Sequence, residues 1–268
     1  MLQKFTPDNK SNRMAHVGDL QNARKSFVQK ENLNLNWLLK SRFTWMNKFI
    51  HSQDVGLELG SGIAASKYFI KCKKMYTTDF IDSEWLDIKN IDALSTGFSD
   101  NSFDFIIVSN TIHHLAFPHI FLHETLRILK PNGKLIIQDI YTSFCMRLIL
   151  KLMRHEGFNE KIDVFNKTIQ CNIPEDPWSA NCSIPKLLFS NNEVFEKIFL
   201  EYRIIHYKRV EFLKFLNSGG VIAKTKFLPL GEKLLKSVDK IDRLLIEIAA
   251  PIFALQVQIV LEKHNIVN

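Results

Sequence analysis

Residues 55–65 read V-G-L-E-L-G-S-G-I-A-A. A short apolar run, Val55–Leu59, carries Glu58 and gives way to Gly60, Ser61 and Gly62, followed by a helical stretch near 64–72. Gly60 permits a sharp turn, and Gly62 lets a ligand approach the main chain without meeting a side chain. Gly60-x-Gly62-x-x-Ala65 also satisfies the loose dinucleotide fingerprint, which alone leaves the ligand open. Downstream, strands are predicted at Met75–Asp79, Phe103–Ser109 and Lys134–Asp139, with helices near 118–130 and 142–154. Leu129-Lys130-Pro131-Asn132-Gly133 is expected to close one helix and turn into the next strand. Such strand–helix alternation predicts an α/β fold, a Rossmann-like, mostly parallel sheet with helices on both faces.

Acids follow the glycines at informative distances. Asp79 ends the second strand, where a carboxylate can accept from both ribose hydroxyls of a nucleoside cofactor. Glu58 lies two residues before Gly60, where it would repel a pyrophosphate and attract a cationic amino group. Asp92, in Ile91-Asp92-Ala93, is spaced to meet an adenine amino group at the end of a third strand. Residues 91–139 continue I-D-A-L-S-T-G-F-S-D-N-S-F-D-F-I-I-V-S-N-T-I-H-H-L and then L-R-I-L-K-P-N-G-K-L-I-I-Q-D. In this series the chain resembles the class I S-adenosylmethionine-dependent methyltransferases, in particular the subgroup acting on quinone precursors and other small molecules. The resemblance spans about residues 53–140.

The resemblance implies a seven-stranded sheet of order 3-2-1-4-5-7-6 with the last strand antiparallel. It implies S-adenosyl-L-methionine as cofactor, with Glu58, Gly60, Ser61 and Gly62 at the methionine end. Asp79 then takes the ribose, Phe80 flanks the adenine, Asp92 and Ala93 hold its edge, and Asn110 lies beneath the methionine. Ala64 stands where many members have a third glycine, and Asn132 replaces the first glycine of the usual Pro-Gly-Gly turn. Some similar small-molecule O-methyltransferases use a His and an Asp at the positions of His113 or His114 and Asp139. One histidine is therefore expected as base, with Asp139 orienting it; packing and capping of the turn is the other reading of the pair.

Ser109-Asn110-Thr111-Ile112 lacks the Asn/Asp-Pro-Pro-aromatic turn that accompanies amino-group methylation of adenine or glutamine, and no Pro-Cys occurs for pyrimidine C5 chemistry. The expected acceptor is a small polar or glycan-type molecule taking a methyl on oxygen. The alternative is a quinone or lipid-like precursor methylated on carbon. An NAD(P)-dependent reductase and a non-catalytic partner subunit that kept the fold are the rivals from other classes.

Charge is uneven over the 268 residues, whose net is +7. Residues 1–50 hold nine Lys/Arg against Asp8, Asp19 and Glu31, and are expected as a basic helical cap, with Trp37, Leu38, Leu39, Phe43, Met46 and Ile50 at helical spacing. The central section, 55–140, holds eight Lys/Arg against ten Asp/Glu, which argues against nucleic acid as partner. The main domain is expected over 51–268, with a loop insertion near 155–192 and a helical one near 211–250 between strands Glu201–Val210 and Pro251–Glu262. The second insertion suits a lid or a homodimer surface. The run Leu245–Leu261 is interrupted by Glu247, Pro251, Gln256 and Gln258, so membrane contact is expected to be peripheral at most. Cys72, Cys145, Cys171 and Cys182 form no C-x-x-C pair, which fits a reducing cytoplasm. Cys171 and Cys182 with His155 lack the close ligand pairs of structural zinc, so no metal is expected.

Overall fold

Apolar β-branched runs bounded by glycine and polar turns become the six strands of the main sheet in the computed structural model, which describes residues 4–5, 20–154, 156–174, 176, 179–222 and 225–264; Lys4–Phe5 and Phe158–Asn159 form a separate antiparallel pair. The six are β1 (Val55–Leu59), β2 (Lys74–Thr78), β3 (Phe103–Ser109), β4 (Leu129–Ile140), β5 (Tyr202–Val210) and β6 (Gln256–Lys263). The sheet order is β2-β1-β3-β4-β6-β5. The first four strands run parallel, and β6 is antiparallel to both β4 and β5. These are six of the seven expected strands in the expected order. At the place of the seventh the ladder shrinks to one isolated parallel bridge, Thr78 to Ile88. The reason is local: the Asp87 carboxylate accepts from Thr77 N and Oγ1, both at 2.8 Å, so a side chain satisfies an edge donor that a strand would otherwise pair.

The helices are α1 (Leu20–Val28), α2 (Leu33–Thr44), α3 (Pro118–Ile128), α4 (Phe144–Met153), α5 (Ile184–Phe189), α6 (Asn192–Ile198), α7 (Leu213–Leu216) and α8 (Glu232–Phe253). Because β1, β3 and β4 are covered on both faces, their side chains are apolar almost throughout. Ile106, Val108, Leu135 and Ile137 pack with Phe121, Leu126, Leu188 and Phe199. On the other face Phe105, Ile107 and Ile136 pack with Ala23, Phe27, Leu35 and Phe43 of α1 and α2. The helices of the expected basic cap thus form a layer on the sheet.

Three local expectations change. The helix expected near 64–72 is one 3₁₀ turn, Ala65–Tyr68, entered through Ala64 in the left-handed region at φ 49°. The segment from Leu129 is already strand, and Asn132 takes the left-handed φ of 63° that a glycine would otherwise supply. Pro251 and Phe253 belong to the end of α8 and not to the last strand. The helix breaks at Ala249, which places Pro251 in the first turn of a new helical segment, where no amide donor is needed.

The 155–192 segment is stitched to the sheet edge, with Asn172 Nδ2 donating to the carbonyls of His113 and Leu115, both at 2.9 Å. His155, Pro177 and Trp178 lie outside the described residues. Among the described residues, no helix is long and apolar enough to cross a membrane.

Candidate active site

The turn after β1 combines two left-handed glycines, Gly60 at φ 72° and Gly62 at φ 52°. Their needs differ. A Cβ on Gly60 would lie 2.4 Å from Thr111 Oγ1, whereas one on Gly62 would meet nothing within 4 Å and would project into open space. Gly62 N donates to Asp79 Oδ2 at 2.8 Å, and its carbonyl accepts from Trp85 Nε1 at 2.8 Å. Ser61 and Thr78 exchange hydrogen bonds, tying the turn to the end of β2. From outside, Arg24 of α1 donates to the Ile63 carbonyl at 2.6 Å.

Glu58 is 1% exposed, and its Oε2 accepts from Ser66 Oγ at 2.5 Å. Burial pushes its carboxyl up to about 7, against the lowering effect of its serine hydrogen bonds. A carboxyl held near neutrality on a cavity wall is prepared for a positively charged ligand group, whose approach favours the ionised form. The open side of Gly62 and this carboxyl together fit the methionine end of S-adenosylmethionine.

Glu58, Gly60, Ser61, Gly62, Asn110 and both histidines line one cavity of about 330 Å³. Asn110 sits at φ 54° after β3, its Oδ1 accepting from Gln256 Nε2 at 2.8 Å. Asp79, Phe80, Asp92 and Ala93 do not line that cavity. Phe80 is 57% exposed, and Asp92 is exposed and accepts from Leu94 N at 2.8 Å. The residues expected at the methionine end therefore line the cavity, and those expected at the nucleoside do not.

Asp139, at the end of β4, is fully buried and receives three backbone donors, Thr111 N and Ile112 N on Oδ2 and Ile140 N on Oδ1. It also meets His113 Nδ1 at 2.5 Å. Burial opposes charge on His113, but the carboxylates of Asp139 and Glu156 outweigh it and raise the imidazole above its ordinary range. His114 goes the other way, down to about 4, through burial and the neighbouring His113. Its Nδ1 lies 3.0 Å from the Ser179 carbonyl. The two adjacent histidines are thus shifted in opposite directions.

The sequence offers Glu156 as a polar group of the long loop, where a substrate pocket or ordinary loop anchoring is expected; its partners come only with the fold. Glu156 comes from the long segment after α4, and its Oε1 lies 3.9 Å from His113 Nε2. Its Oε2 accepts from the Cys182 thiol at 3.3 Å. One ligand-type atom from each of His113, His114 and Glu156 lies within 4.8 Å of the others, close enough to share a proton or a cation. An acid in an irregular segment carries no periodicity, so only the fold reveals this neighbour.

Comparison with known proteins agrees with this geometry. The family model described as a methyltransferase domain matches residues 57–137. The demethylmenaquinone methyltransferase of Renibacterium salmoninarum is 29% identical over 85 residues, which is 28% of this chain and 36% of that protein's length. The chain thus matches about a third of its curated relative. A SAM-dependent methyltransferase from Archaeoglobus fulgidus superposes with a TM-score of 0.53 at 15% identity, covering 84% of this chain and 93% of that one. Another from Methanosarcina mazei gives 0.45 at 16% identity, over 82% and 97% of the two chains. Residues 57–137, spanning β1 to β4, are thus similar in sequence to a methyltransferase domain, and the superposition on the Archaeoglobus fulgidus structure shows that the fold is shared.

Proposed function

We propose that the protein transfers the methyl group of S-adenosylmethionine to an apolar, hydroxyl-bearing small molecule of the quinol or lipid-like class. The observation that carries this reading is the cavity wall beyond the glycine turn, built from Leu38, Leu39, Phe43, Ile149, Met153 and Phe215. Such a wall favours the quinone- or lipid-like alternative over a glycan-type acceptor, whose hydroxyls would be buried without partners at a cost of about 1–3 kcal/mol each. The relative from Renibacterium bears a quinone-type substrate in its name, which agrees in class. The segments 155–192 and 211–250 supply Glu156 and Phe215 to the wall, and we read them as acceptor-binding insertions on the main domain.

When bound, the cofactor supplies an electrophilic methyl for in-line displacement. Glu58, Gly60, Ser61, Gly62 and Asn110 hold its methionine end, while Asp79, Phe80, Asp92 and Ala93 hold the nucleoside. The apolar wall would exclude water and hold the acceptor against the methyl, which in-line transfer needs at about 3–3.5 Å. His114, kept neutral, takes the acceptor proton, and Asp139 fixes the turn carrying both histidines through Thr111 N, Ile112 N and His113 Nδ1.

The test pairs calorimetry with turnover. The protein should bind S-adenosylmethionine and not NAD(P)H, and should methylate apolar phenols or quinols in preference to sugar hydroxyls. His114→Ala and Asp139→Asn should each reduce kcat by about 10²–10⁴-fold while cofactor affinity holds. Preference for sugar hydroxyls, or unchanged turnover in both variants, would overturn the assignment of acceptor or base respectively.

A further inference from the structure

The orientation of α8 is set by its inner face. Leu235 is buried, Asp239 Oδ2 accepts from Trp37 Nε1 at 2.8 Å, and Asp242 receives the amides of Phe212 and Leu213 at 3.1 and 2.7 Å. Positions 235, 239 and 242 lie along one face at helical spacing. The opposite face is therefore fixed toward solvent, and it carries an aliphatic stripe, Ile241, Leu244 and Ile248, all exposed, Ile248 to 72%; Ile252, beyond the break at Ala249, is exposed as well. A helix that buries one side and leaves an aliphatic stripe on the other departs from the usual surface pattern.

The same feature recurs next door. α4 packs against α8, and Ile149, Leu150 and Met153 of α4 line the cavity. Its residues Phe144, Leu148 and Leu152, spaced four apart, are exposed, Leu152 to 75%. The loop before α8 adds Leu228, 68% exposed. Met153 of α4 is exposed and also lines the cavity, so the exposed apolar surface of that helix adjoins the cavity wall.

Charge selects the occupant. Lys233, Lys236, Lys240 and Arg243 are exposed along α8, against the exposed acids Glu232 and Glu247. A second copy placed symmetrically on this face would bring equal rows of cations together. An anionic bilayer meets both the aliphatic stripe and the basic flank, the pattern of a helix lying in the plane of a membrane interface.

We propose that α4 and α8 seat the protein on an anionic phospholipid surface, with the cavity wall adjoining the lipid so that an apolar acceptor enters without crossing water. The entry route rests on the methyl-transfer reading above; the seating does not. The full chain is floated with vesicles of phosphatidylcholine alone, and of phosphatidylcholine mixed with phosphatidylglycerol. It should rise with the anionic vesicles and be released by salt. Leu244→Asp with Ile248→Asp should cut vesicle partitioning by about tenfold or more, from two apolar side chains withdrawn from the interface. Lys233→Glu with Lys240→Glu should act in the same direction. All four positions are exposed and outside the cavity, so melting and S-adenosylmethionine affinity should match the wild type and certify the fold. Failure to rise with anionic vesicles would overturn the seating, as would a wild-type dimer that Ile248→Asp dissociates. Failure of the wild-type protein to bind S-adenosylmethionine would instead overturn the methyl-transfer reading.

Discussion

With the cofactor's methionine end placed as proposed, Glu58 should couple its own protonation to ligand binding. Its carboxyl lies at about 7 in the folded chain because burial disfavours the charge, and at about 4.5 in an unfolded one. The raised value means that stability from this group is complete below about 4.5 and lost as pH climbs through 7. A cationic ligand reverses the preference. S-adenosylmethionine should bind more tightly as pH rises toward 7, by up to about tenfold per unit, and the affinity should level off above it. Calorimetry below pH 7 in buffers of different ionisation heat should show proton release on binding, and Glu58→Gln should abolish both effects and weaken affinity. The acidic identity of Glu58 and its place before the glycines are legible from the chain. Its near-neutral titration is not, because that depends on Ser66 and on the depth of the wall. The contact between Glu156 and Cys182 lies further from view still, since the 155–192 segment gives no periodic signal to pair them.

At the scale of elements, one buried ion pair joins the N-terminal layer to the segment after β5. Arg42 on α2 meets Glu211 with Nε at 3.1 Å and Nη2 at 2.8 Å, and Gln138 Nε2 reaches the same carboxylate at 2.6 Å. Glu211 is held at φ 61°, just before Phe212 and α7. Removing one partner leaves the other charged, buried and without its ion-pair partner. Arg42→Met should therefore cost about 3–5 kcal/mol in urea unfolding, and Arg42→Met with Glu211→Leu should recover much of it. Neither position stands out in the chain, because the two are far apart and each sits among ordinary helix or strand residues. What is legible at this scale is periodic: β1 and β3 have their expected limits, and α2 and α3 fall where their apolar spacing puts them. The expected helix near 64–72 shrinks to one turn because Ala64 enters it left-handed, which alanine spacing alone does not announce.

Over the whole molecule, the basic start of the chain, legible as an excess of Lys and Arg, acquires a specific task at Arg24. Its guanidinium donates to the Ile63 carbonyl at 2.6 Å and stands 5.2 Å from the Tyr68 ring and 6.0 Å from the Trp85 ring. Phe27 of the same helix meets Tyr68 edge-on at 5.2 Å. Trp85 in turn holds the Gly62 carbonyl, so α1, the glycine turn and the segment after β2 form one clamp assembled from three distant parts of the chain. Ligand seated in the turn should tighten this clamp and protect the fold by mass action, about 2.7 kcal/mol at a hundredfold excess over Kd. Arg24→Ala should loosen it from outside the cavity. The expected result is a reduced rise in Tm on adding S-adenosylmethionine, with higher Kd and little change in the melting of the free protein, because Arg24 makes its contacts at the edge of the layer. Amide exchange in α1 should slow on ligand binding in the wild type and not in Arg24→Ala. Equal protection in both proteins would show that the turn holds its shape without the N-terminal layer.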